Sequence, residues 1–308
     1  MCQKQRLDAT KEGGYAARMT KIAYLASKVT LPGSPLRRPD AFEHDYMMEA
    51  LRAPFADAGF DLEDVDWANA EEDWSRFAAV IIGTTWDYWD QPDHFLNTLE
   101  RIEGQTPLFN PAALVRWNTN KRYLKTLTES GARTIPTLWL DKVGAEEFIA
   151  SFKELGSDDL VFKRQIGAGA DGQHRLSPTD TLPDMPFPMM VQPFLKTIQD
   201  EGEYSFIFIG GTFSHALLKQ AKSGDYRIQS SYGGRETAIT PSAEDLSEAK
   251  AILGLLDETP FYARVDMIRD EDGRLLLMEL ELIEPYLYPK EGPDLGGHMA
   301  RAMKAALS

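Results

Sequence analysis

Residues 78–83, Ala-Ala-Val-Ile-Ile-Gly, form an unbroken apolar run, short as a strand and without polar alternation, so both of its faces are expected to be covered. Such a strand belongs inside a parallel sheet, whose neighbours are joined by crossover connections. The preceding sequence supplies them. Residues 21–27 are a second short apolar run, followed by a Pro/Gly/Ser-rich loop at 32–35 and by residues 45–58, where apolar side chains recur at helical spacing. Residues 60–67 read as a third strand. The segment after the buried strand, Thr84-Thr85-Trp86-Asp87-Tyr88-Trp89-Asp90, is polar and aromatic. Open parallel sheets place ligands beyond the carboxyl ends of their strands, which makes Thr85, Trp86, Asp87 and Tyr88 candidate substrate residues. An aromatic plug over the sheet edge accounts for the same residues equally well.

From Asn118 the texture changes. Residues 121–130 read as a helix stopped by Gly131, and 134–140 as a strand. The strand 160–164 runs into a glycine-rich segment spanning Gly167, Gly169 and Gly172, and strand 189–195 follows, an order that suits a β-rich clamp. Strands 204–209 and 212–218 meet at Gly210-Gly211, a two-residue hairpin signal. A helix at 243–256, a strand pair at 261–268 and 275–283, and a last helix at 298–307 complete the chain. The fold class expected is α/β, turning α+β in the C-terminal part.

With 308 residues the chain exceeds one ordinary core, favouring several lobes around a shared cleft. Its 33 Lys and Arg stand against 48 Asp and Glu, and the net charge of -15 opposes attraction to nucleic acid or anionic lipid. Neither is an expected partner. Cys2 is the only cysteine, so no intramolecular disulfide can form, no zinc-ligand spacing exists, and a reducing, cytoplasmic setting is expected. Residues 1–18 are polar and mixed in charge; they read as a disordered lead-in or as the product of a start codon placed upstream of Met19.

Period-two alternation puts Arg264, Asp266 and Ile268 on one face of their strand, and Leu277, Glu279, Glu281 and Ile283 on one face of the next. Ionised carboxylates within such apolar strands are costly unless a cation or hydrogen-bond donor compensates them. Mg²⁺ takes oxygen ligands and commonly combines a few carboxylates with nucleotide phosphates, so Asp266, Glu279 and Glu281 are candidate metal ligands. The glycine-rich segment lies between strands and lacks the Gly-Lys-Ser/Thr ending of a helix-opening phosphate loop; a flap whose backbone approaches phosphates, with Lys163 just upstream, fits it better.

These residues resemble the pattern of the ATP-grasp enzymes, in the branch of glutathione synthetase and related carboxylate-amine ligases, from about Asn118 to the end. The resemblance implies a fold of an open parallel-sheet domain (19–117) followed by a two-lobed ATP-grasp domain (118–195 and 196–308). It implies that Lys121 and Lys163 grip ATP phosphates, that Gln192 and Phe194 flank adenine, that Glu203 takes the ribose, and that Lys219, Arg227 and Arg235 serve catalysis. It further implies ATP and Mg²⁺ as cofactors, with Mn²⁺ as a substitute, small acid and amine substrates, an acyl-phosphate route, and homo-oligomerisation. Where the family reads glutamate-x-asparagine, this chain has Glu279-Leu280-Glu281, which keeps an oxygen donor but lets Glu281 pair with Arg264 instead. The Thr-Trp-Asp-Tyr loop, Asn110-Pro111, Arg116-Trp117-Asn118 and Glu284-Pro285 are also similar to a smaller branch that includes the O-ureido-serine cyclo-ligase of cycloserine biosynthesis. A non-catalytic ATP-binding regulatory module is the alternative from another class, and steady ADP release separates the two.

Overall fold

The computed structural model describes residues 19–167, 169, 171–222 and 233–308; the expected lead-in at 1–18 and Arg227 lie outside the described residues. The first sheet is parallel and four-stranded. Strand β1 (Thr20–Ala26) is followed by helix α1 (Phe42–Asp57), β2 (Phe60–Asp66), β3 (Ala79–Thr84), α2 (Pro92–Glu103) and β4 (Leu108–Phe109), in the order β2-β1-β3-β4. Every residue of β3 is buried, as its unbroken apolar run requires.

Helices α3 (Ala112–Thr119) and α4 (Tyr123–Glu129) lead to the second sheet. It is built from β5 (Leu138–Leu140), β6 (Leu160–Arg164), β7 (His174–Leu176) and β8 (Met189–Pro193), in the antiparallel order β5-β8-β6-β7, with α5 (Ala145–Leu155) between β5 and β6. The strand expected at 134–140 is shorter. Pro136 has no N–H for a ladder, so only 138–140 join the sheet while Thr134 bridges to Leu277 of the next one. Helices α2, α3 and α5 are additions to the elements expected above.

After the short helix α6 (Thr197–Asp200) the third sheet follows: β9 (Glu203–Ile209), β10 (Thr212–Gln220), β11 (Arg235–Ile239), helix α7 (Ala243–Leu253), β12 (Tyr262–Arg269) and β13 (Leu275–Glu281), ordered β11-β10-β9-β12-β13. The Gly210-Gly211 turn has φ of 54° and 72°, the left-handed pair that a tight hairpin demands.

The last helix, α8 (Leu295–Ala306), returns to the first sheet and packs along α1. Leu295, Met299 and Met303 share one core with Met47, Leu51 and Phe55 of α1. Pro54 within α1 cannot donate to the Ala50 carbonyl, and Gly296 sits against that spot, where a Cβ would come within 2.1 Å of the Ala50 oxygen. The core of the parallel sheet thus includes residues from both ends of the chain.

Candidate active site

The β12–β13 register sets Arg264 opposite Glu281 and Asp266 opposite Glu279, so the expected row of charged side chains forms on one face of the hairpin. β13 is an edge strand, and its outward backbone groups are covered from α3 and α4. Asn118 donates from Nδ2 to the Leu280 carbonyl (2.9 Å) and accepts at Oδ1 from the Leu282 N–H (3.1 Å), while the Tyr123 hydroxyl accepts from the Leu280 N–H. Asn110 ties the other end, donating to the Tyr262 and Leu282 carbonyls and accepting from the Phe261 N–H. These asparagines, singled out in the sequence as family-like, act here as clamps that aim the acidic row.

Each acid of that row has a cation. Asp266 accepts from Ser205 Oγ, from Arg264 Nε (2.9 Å) and from Lys219 Nζ (3.3 Å). Glu203 pairs with Lys219, Glu281 with Arg264, and Glu279 with Lys121, whose Nζ also donates to the Gly167 carbonyl (3.0 Å). Around Lys219 and Arg264, therefore, three carboxylates share two cations. Burial raises Asp266, yet Arg264 and Lys219 outweigh it and hold its carboxyl at about 2. Burial instead pushes Glu203 and Glu281 up to about 7 against the pull of their partners. The surplus negative charge suits a divalent cation.

The row forms one wall of a cleft of about 300 Å³. Ile135, Val161, Ile268 and Met278 make an apolar slot beside the hinge 192–195. Gln192 donates from Nε2 to Thr137 Oγ1 (2.9 Å), and its buried Oε1 has no partner among the described residues; a purine amino group would satisfy it. Lys163 projects from β6 into the same space without an ion pair among the described residues, its basicity lowered by burial. Gly167, Gly169 and Phe194 line the cleft as well, Phe194 with the Arg175 guanidinium 3.4 Å from its ring centre.

Of the loop after β3, Trp86 and Tyr88 reach the cleft and the other two candidates do not. Thr85 is fully buried behind it, and Asp87 accepts from Trp67 Nε1 (2.7 Å). Gly172 lies against Arg164 rather than in the cleft lining, and Arg235 is exposed at the start of β11, away from it. Residues the sequence did not single out also line the cleft: Arg38, doubly bonded to Asp40 and 5.9 Å from the Trp86 and Trp89 rings, together with Tyr286 and Tyr288. They come from loops without periodicity, and only the Trp/Tyr content hinted at them.

The family description "D-cycloserine synthetase DcsG, N-terminal domain" matches residues 22–110. The cycloserine biosynthesis protein DcsG of Streptomyces lavendulae is 30% identical over 287 residues, covering 85% of this chain and 94% of that protein. The chain belongs to the ATP-grasp family of ligases, close to DcsG. The crystal structure of D-cycloserine synthetase DcsG superposes with a TM-score of 0.79 at 25% identity, over 94% of this chain and all of that one. The ATP-grasp ligase PsnB, solved with Mg and ADP and a variant of its minimal precursor, shares the fold at TM-score 0.65 and 17% identity, over 94% and 99% of the two chains.

In ATP-grasp terms the donor set fits a metal, with Glu281 paired to Arg264 as the sequence allowed. Among the described residues no three His, Cys, Asp or Glu side chains gather closely enough to hold an ion alone, and Asp266, Glu279 and Glu281 are each paired with a cation. Asp266 and Glu279 remain opposite each other, and Mg²⁺ ordinarily uses one or two carboxylates and completes its shell with phosphate oxygens. Among the described residues no helix is long and apolar enough to cross a membrane.

Proposed function

We propose that this ligase phosphorylates the carboxylate of a small amino-acid-like substrate with ATP and joins the activated carbon to a nitrogen. The observation that carries the reading is the Asp266–Glu279 pair in a cleft also lined by Lys163 and by Lys121, which is paired with Glu279, with an apolar slot at one end. Lys121 and Lys163 hold the phosphates, Gln192 and Phe194 flank the adenine, and Glu203 accepts from the ribose. The flap glycines Gly167 and Gly169 let backbone approach the phosphate oxygens. Asp266 and Glu279 hold Mg²⁺, for which Mn²⁺ is a substitute. Bound there, the metal supplies charge neutralisation and polarisation at the transferred phosphoryl group. Lys219 and Arg264 place cations in the adjoining wall where negative charge develops, a role of electrostatic preorganisation that needs no nucleophilic Ser or Cys. Arg235, on the exposed edge, carries no part of this reading.

Trp86 and Tyr88 bound the substrate end. The likeness to DcsG over nearly its whole length favours a substrate holding both carboxylate and nitrogen, an O-ureido-serine-like compound closed within one molecule. A division into lobes 19–117, 118–195 and 196–308 belongs to this reading, supported by one sheet in each, with α8 added to the first core. A cytoplasmic setting, supported by the single cysteine, and a homo-oligomer, supported by the resemblance, belong to the same reading.

ADP release with Mg·ATP, measured against O-ureido-serine alone and against amino acids paired with amines, tests it. Stimulation by O-ureido-serine alone supports the cyclo-ligase, and stimulation needing a pair supports intermolecular ligation. Tight Mg·ATP binding without ADP release from any of these would leave a nucleotide-binding module.

A further inference from the structure

Glu284 lies three residues beyond β13 and lines the cleft where the acidic row meets its aromatic end. Two backbone bonds hold the segment: Trp86 Nε1 donates to the Glu284 carbonyl (3.1 Å), and Arg264 Nη1 donates to the Tyr286 carbonyl (3.0 Å). The side chain is different. Among the described residues its carboxylate makes no hydrogen bond or ion pair. The other acids lining the cleft are engaged, Asp40 by Arg38, Asp171 by Arg164, Glu203 and Asp266 by Lys219, Glu279 by Lys121 and Glu281 by Arg264; Glu43 is engaged as well.

The charged groups facing Glu284 are Glu281, Lys121, Glu279 and Arg264, and both of those cations already serve Glu279 and Glu281. A carboxylate left without a cation in the cleft has its most favourable partner in an N–H donor brought by the substrate. Among the described residues no histidine lines the cleft, and burial makes Tyr88 and Tyr288 weaker acids than usual, so neither offers a ready phenolate. We propose that Glu284 holds the nitrogen nucleophile of the ligase reaction and accepts its proton as the C–N bond forms. The inference rests on the ligase reading above.

In this step the nitrogen lone pair attacks the carbonyl carbon of the acyl phosphate and the C–N bond forms. The carbon–oxygen bond to phosphate breaks, inorganic phosphate leaves with that electron pair, and the N–H proton passes to the Glu284 carboxylate. Burial, reinforced by Glu281, raises the affinity of that carboxylate for a proton.

The test uses the full chain with Mg·ATP and O-ureido-serine, or whichever acid and amine pair releases ADP, and compares wild type with Glu284→Gln and Glu284→Asp. Hydroxylamine, a nucleophile that needs no base, traps the acyl phosphate as a hydroxamate. In Glu284→Gln, product formation should fall about 10²- to 10⁴-fold while hydroxamate formation and Mg·ATP affinity persist. Glu284→Asp should recover part of the rate, and the acid limb of the wild-type pH profile of kcat/KM should vanish in Glu284→Gln. Wild-type product rates in Glu284→Gln would overturn the assignment. So would an equal loss of hydroxamate and product together with weaker Mg·ATP binding, since that is what a structural role produces. Silence of the wild type with every substrate would sink the ligase reading and this inference together.

Discussion

Glu279 and Lys163 are tied to the proposed chemistry in opposite ways, one as an acid given to a cation and the other as a cation given, among the described residues, to no acid. Glu279 retains about a third of its exposure, so its pair with Lys121 adds little to folding stability. Glu279→Gln should therefore lower Mg-dependent ADP release at least about 100-fold with a melting temperature close to wild type, as thermal unfolding and steady-state kinetics would show. A large loss of stability would refute the placement. Lys163 is a half-buried ammonium without an ion pair among the described residues, a cost that phosphate would relieve. Lys163→Ala should weaken Mg·ATP binding about 10- to 100-fold by titration calorimetry without lowering the melting temperature of the nucleotide-free protein.

At the scale of elements, the site depends on an edge strand being covered. β13 carries Glu279 and Glu281, and α3 supplies Asn118 to its open backbone before the chain turns to place Lys121 against Glu279. Removing the amide leaves the Leu280 carbonyl and the Leu282 N–H buried without that partner. Asn118→Ala is expected to cost about 1–3 kcal/mol in denaturant unfolding and to raise the Mg²⁺ concentration needed for half-maximal ADP release. Unchanged metal dependence would mean that the clamp serves folding alone. Gln165 plays a comparable part in the clamp sheet, donating to the Leu140 and Met189 carbonyls and accepting from Arg122.

Across the whole molecule, the last helix and the segment before it fasten the third sheet to the first, and His215 is one of the fasteners. Its Nε2–H donates to the Leu287 carbonyl (3.0 Å) and its Nδ1 accepts from Ser214 Oγ (2.9 Å), an arrangement for the neutral ring. Burial depresses its pKa from 6.5 to about 4. The unfolded chain therefore takes up the proton first, so this stability is fully present above about pH 6.5 and is lost as pH falls towards 4. Glu203 and Glu281, raised to about 7, act with the opposite sign: protonation near neutrality favours the folded state, and that contribution is lost as pH rises through 7. The His215 part is thus read as a difference. His215→Gln should be less stable than wild type at pH 7, with the gap narrowing towards pH 4 in urea unfolding; a constant gap would show that the ring does not titrate.

Much of this organisation was legible in the chain because period and burial are local properties. The apolar run 78–83 implied a strand covered on both faces, Gly210-Gly211 implied its hairpin, and alternation placed Asp266, Glu279 and Glu281 on the faces where they stand. Pattern offered Arg264 to Glu281 but could not say which cation Glu279 meets. Lys121 reaches Glu279 across 158 positions of sequence, and Glu281 goes to Arg264 because the strand register sets them opposite each other. Nor could it tell Trp86, which lines the cleft, from its neighbour Thr85, which is buried behind it. Sequence periodicity determined the strands and the acidic faces, whereas the tertiary structure decided the charge partners and left Glu284 without one among the described residues, because electrostatic pairing depends on distance in space and on desolvation, neither of which is encoded in spacing along the chain.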